Sequence, residues 1–90
     1  MMKIPKKLKP GNIVEVTWFD ANQAPRWMSR EWALNINRAL CIVHSAGYFV
    51  GITKKPKYIV LANWYEQDSK DVNGVESIPV CNVEKIKIVK

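Results

Sequence analysis

Between residues 11 and 90 the apolar side chains come in short runs, "NIVEVTWF", "ALCIVHSAGYFVGI", "YIVLANW", "VESIPV" and "VEKIKIV", each bounded by polar or turn-forming residues. Runs this short, alternating apolar and polar, are the signature of half-buried strands and leave no room for a long amphipathic helix. In the first run Val14, Val16 and Trp18 share one uniformly apolar face, which is expected to meet the core, with Ile13, Glu15, Thr17 and Phe19 on the other. The second run is long, and glycine permits a bulge or a close backbone approach at Ala46-Gly47. "KKPK" is a turn, and Asn73-Gly74 is a turn dipeptide before the fourth strand, which Pro79 ends. In the last strand Ile86 and Ile88 point inward, Lys85 and Lys87 outward.

The connection from Asp20 to about Arg38 is the exception. Asp20 and Asn22 form turns, Pro25 prevents an earlier helix start, and Ser29 can cap "REWALN" with Glu31 in its first turn. Such a helix has at most two turns and needs packing to persist, with Trp32 as its expected pin. The order of elements predicts an all-β domain with one short helix, a small SH3-like five-stranded barrel. A five-stranded oligonucleotide-binding barrel is the alternative. It usually has a helix between strands three and four, where this chain has only "EQDSKDVNG".

Ninety residues make a single domain, read as a basic arm over 1–10 followed by the barrel over 11–90. The net charge of +6 favours an anionic partner. The excess is concentrated in Lys3, Lys6, Lys7 and Lys9, in Lys54, Lys55 and Lys57, and in Lys85, Lys87 and Lys90. The competing expectation for these three groups is a solvated tail, a solvated turn and a solvated strand face. Glu15 and Asp20 interrupt the apolar residues after the arm, so no signal peptide or membrane span is expected, and the chain reads as soluble and cytoplasmic. Cys41 and Cys81 are too few for a disulfide framework and are expected as buried thiols.

Catalytic patterns are missing from the sequence. His44 is the single histidine, and three residues from Cys41 along a strand it points to the opposite face. Nothing completes a zinc site, no glycine-rich phosphate loop occurs, and Asp20 and Glu31 fit the roles of turn former and helix-start charge. The expectation is a protein without enzymatic activity, cofactor or metal.

Binding has more to draw on. Trp27 stands beside Arg26 and near Arg30, while Trp64 and Tyr65 end the third strand. An aromatic face can stack a base, worth roughly 1–3 kcal/mol, while a neighbouring cation meets the phosphate. The candidate ligand-binding residues are therefore Arg26, Trp27, Arg30, Trp64, Tyr65, Lys54, Lys55 and Lys57, with Trp27 and Trp64–Tyr65 bordering one shallow groove. Trp18 and Trp32 are assigned to the framework.

"VEVTWFDA", then Trp27, then Cys41 leading to "AGYFV", then "YIVLA" and "IPVCNVEKIKIV", resemble a set of small phage and prophage proteins. The likeness runs over roughly residues 10 to 89, departing from the pattern where "CIVHSAGYF" carries extra residues before Gly47. It implies a compact SH3-like barrel without assigned catalytic residues, and an accessory protein that acts by occupancy. Its ligand would be a signalling nucleotide or nucleic acid, sequestered to counter host defence. A protein–protein module or inhibitor docking on a host protein is the competing expectation. A homo-oligomer formed by pairing edge strands is also expected.

Overall fold

The computed structural model describes residues 4–20, 27, 29–36 and 41–90, the side chains of Ala33, Asn35, Ile36 and Cys41 excepted. Five antiparallel strands form one sheet: β1 (Ile13–Asp20), β2 (Cys41–Ile52), β3 (Tyr58–Tyr65), β4 (Val72–Pro79) and β5 (Val83–Ile88), in the order β4-β3-β2-β1-β5. A short helix, α1 (Arg30–Ile36), interrupts the β1–β2 connection, and a 3-10 turn over Val80–Asn82 joins β4 to β5. This is an all-β fold with one short helix, and its strand order is that of a small SH3-like barrel.

Curling of the sheet brings its two edges to one core. Val14 and Val16 of β1, Phe49 of β2, Ile59 and Leu61 of β3, Ile78 of β4, and Val83 and Ile86 of β5 form a single cluster. Val14, Val16, Ile59 and Ile78 are fully buried, each contributing roughly 1.5–3 kcal/mol relative to an exposed side chain. Trp18 packs against this cluster, half-buried, and its indole Nε1 donates to Ser45 Oγ at 3.0 Å. It is framework, as the alternation of β1 required.

Two bulges set which residues face inward. The β1–β5 register shifts between Thr17 and Trp18, which pair with Lys85 and Val83, so Glu84 is the extra residue. Val83 and Ile86, three apart, can then both point at the core. The β2–β3 register shifts between Phe49 and Gly51, not at Ala46-Gly47 where the sequence suggested a bend. Gly47 serves close approach instead: a Cβ there would lie 2.8 Å from the Ala62 carbonyl oxygen.

The turn after β3 also differs from expectation. Glu66–Asp71 closes it, through Glu66 N–H donating to the Asp71 carbonyl at 2.9 Å and Lys70 N–H to the Glu66 carbonyl at 2.8 Å. Lys70 takes the left-handed conformation, φ 67°. Asn73-Gly74 lies inside β4. Gly74 does adopt the positive φ (68°) that the dipeptide signals, but within the ladder, under the Asn63 side chain.

The basic arm is not simply solvated. Over residues 4–12 it follows the barrel, with Leu8 packed on the core cluster and Gly11 N–H donating to the Phe49 carbonyl at 2.9 Å.

Candidate functional site

The eight residues of β3 separate two groups of candidate residues. Lys54, Lys55 and Lys57 are exposed in the β2–β3 turn, whose Lys55–Pro56 bond is cis. Thr53 ties that turn, its N–H donating to the Tyr58 carbonyl and its Oγ1 accepting from Tyr58 N–H, both at 2.9 Å. Trp64 and Tyr65 stand at the far end of the strand, about 23 Å away at the usual rise. One small ligand cannot touch both.

Tyr65 is largely committed to structure. Its ring stacks on Tyr48, centroids 5.7 Å apart and planes 25° apart, beside the Gly11 backbone. Lys70 Nζ lies 5.8 Å from the ring centroid. Trp64 is 70% exposed and borders a shallow concavity of about 450 Å³ with Tyr65, Glu66, Asp71, Val72 and Asn73. Two carboxylates in so small a site favour a cation over a phosphate. No described residue of the β1–β2 connection lines it.

Within that connection Trp27 is fully exposed and Arg30 is exposed at the start of α1. Arg26 lies outside the described residues. Ser29 does cap the helix, its Oγ accepting from Trp32 N–H at 3.2 Å. Trp32, however, is 63% exposed and Leu34 68%. Trp32 is therefore not the pin that the sequence suggested. Side chains two apart on a helix lie on nearly opposite sides, so α1 turns apolar groups outward in more than one direction.

A larger groove of about 990 Å³ lies at the other end of the barrel. Phe19 from the end of β1, Pro56 and Lys57 from the β2–β3 turn, Tyr58 from the first position of β3, and Pro79 from the end of β4 line it. Tyr58 and Pro79 are register partners, and Val80 N–H donates to the Lys57 carbonyl at 3.1 Å, so these walls are held by the ladder itself. The 3-10 turn and Glu84 also line it, as does Ile4 of the arm. The lining is mostly apolar, with one cation and one carboxylate. Cys81 is exposed there, its Sγ 3.4 Å from Asn82 Oδ1, and is not the buried thiol anticipated. Of this groove the sequence singled out Lys57 alone. The Lys-Pro-Lys-Tyr turn and the Ile-Pro segment carried the signal, since prolines beside an aromatic at strand ends line a surface and add no ladder hydrogen bonds.

His44 is exposed on the outer face, opposite Thr17 in the β1–β2 register. Its Nδ1 is 3.1 Å from Thr17 Oγ1 and 3.9 Å from Glu15 Oε1. Both neighbours meet the same ring nitrogen, so no carboxylate–imidazole–hydroxyl relay is formed, and Thr17 is buried at 8% exposure. Among the described residues no three His, Cys, Asp or Glu side chains gather where a metal would be held. No helix among them is long and apolar enough to cross a membrane.

These features define a small SH3-like barrel with an apolar, proline- and aromatic-lined groove beside its 3-10 turn. No protein-family model, curated protein or solved structure matches the chain.

Proposed function

We propose that the protein is a non-catalytic binding module whose groove takes an extended segment of a partner protein. The observation that carries this reading is the composition of the groove lining: Phe19, Tyr58, Pro56 and Pro79 give it apolar walls, and Lys57 and Glu84 are the charged residues along it. Extended peptides dock in grooves of this kind through apolar contacts, with charged residues setting orientation. The motif likeness to phage and prophage proteins supports an accessory role by occupancy, in which the bound host protein is kept from its own partners.

Selection from a displayed random peptide library, followed by titration of a selected peptide, tests this. Tyr58→Ala is expected to weaken binding tenfold or more, about 1.4 kcal/mol, with the melting temperature nearly unchanged, because Tyr58 is only half-buried. Selected peptides that bind the Tyr58→Ala variant as tightly as the parent would move the site elsewhere.

A second reading retains an anionic nucleotide-containing ligand. Lys57, Tyr58 and Phe19 lining one groove support it, since a base on a ring and a phosphate at an ammonium group need both in one site. Titration with a mononucleotide and with an oligonucleotide separates the two readings. A steep loss of affinity with added salt would mark a polymer held through many phosphates.

A further inference from the structure

The two edges of the sheet are protected differently. β5 carries Lys85 and Lys87 outward, and the chain beyond it is tied back by Ile13 N–H donating to the Lys90 carbonyl at 2.8 Å. Lysines on an edge discourage another strand from adding to it. β4 has no such guard. Asn73–Ser77, five consecutive residues, are exposed, and Glu76 is the only charged residue in the strand. On the outer face Val75 pairs with Ala62 and Asn73 with Trp64, which makes Val75 and Trp64 diagonal neighbours, 54% and 70% exposed. Among the described residues, the free edge of β4 thus continues into the exposed Val75 and Trp64.

We propose that β4 pairs antiparallel with β4 of a second copy of this chain, about a twofold axis at Val75. The charge distribution selects this occupant. The β3–β4 turn holds Glu66, Asp68 and Asp71 against the single Lys70, and the β2–β3 turn holds Lys54, Lys55 and Lys57. These turns stand at opposite ends of β3, since Tyr65 pairs with Val72 and Tyr58 with Pro79. An antiparallel twofold therefore brings the acidic turn of each copy to the basic turn of the other, twice over. Lys57 lies one strand in from the edge, bonded to Val80, so its backbone falls about 10 Å, two strand spacings, from Asp71 of the second copy. A lysine side chain closes most of that gap. Register is set by the same chemistry. A perpendicular twofold preserves the two faces, so one residue must meet its own copy. Placing Val75 there puts Glu76 opposite Gly74, whereas placing Glu76 there would set two carboxylates face to face.

Sedimentation of the full chain tests the pairing. Twice the 10.4 kDa chain mass is expected at sufficient protein concentration, with dissociation promoted about tenfold as salt rises well past the physiological range. Val75→Lys should give the single-chain mass at the same concentration while remaining folded, the position being exposed. Asp71→Lys and Lys57→Glu should each weaken the dimer, and the two together should restore it. In a Cys81→Ser background, Val75→Cys should cross-link to its own copy under mild oxidation. A single-chain mass at every concentration overturns the proposal. So does a dimer that tolerates Val75→Lys and yields no Val75→Cys cross-link, because its seam then lies elsewhere.

Discussion

The Ala62 carbonyl oxygen stands 2.8 Å from where a Cβ on Gly47 would be, and that one distance explains a glycine in the middle of β2. The atom in the way is backbone and belongs to the adjoining strand, so it cannot swing aside. Gly47→Ala is expected to lower the unfolding free energy by about 1–3 kcal/mol, read from the midpoint of urea denaturation at unchanged slope. An unchanged midpoint would mean that β2 and β3 separate more readily than their register suggests. The tryptophans divide on similar grounds. Trp18 finds a hydrogen-bond partner in Ser45 and a core to lean on, because it follows Val14 and Val16 along one face of a strand. Trp27, Trp32 and Trp64 have most of their surface in water. Their contribution to stability is correspondingly small, and any contribution they make to recognition comes from that same exposure.

Among the described elements the barrel leaves apolar side chains exposed on α1 (Trp32, Leu34), at Ile42 of β2, at Trp64 of β3 and at Val75 of β4. A capped seven-residue helix is marginal by itself, and the outward Trp32 does not anchor it. Trp32→Ala should therefore change stability by less than about 0.5 kcal/mol, against about 2–5 kcal/mol for Ile59→Ala in the core, both measured by denaturant titration. A loss of core size at Trp32 would show that the helix is docked in solution. Strands were readable because their alternation is local. Bulges were not, because an extra residue shows only against the partner strand: Val83 and Ile86 both face inward only because Glu84 is looped out opposite β1. The Asn73-Gly74 signal was correct about the dihedral angle and wrong about the place, since positive φ is a property of one residue and a turn is a property of two strands.

For the whole molecule, the N-terminal arm is part of the fold. Gly11 and Asn12 bond to Phe49, Leu8 lies on the core cluster, and Ile4 lines the groove. Leu8→Ala is expected to cost about 1–2 kcal/mol, whereas Lys6→Ala and Lys7→Ala should cost less than about 0.5 kcal/mol. Equal effects from all three would return the arm to a solvated tail. The sequence alone determined the existence and order of the strands, the helix cap, the inward face of β1 and the all-β class, because each rests on neighbours a few residues apart; the start of β4 and the inward place of Val83 it did not. Only the tertiary structure decided which candidate residues share a surface. It put the lysine turn and Trp64–Tyr65 at opposite ends of β3, and it assembled a groove from residues 4, 19, 56–58 and 79–84. The reason is physical: a site is a meeting of side chains distant in sequence, and in a curled sheet that meeting is fixed by register and bulges.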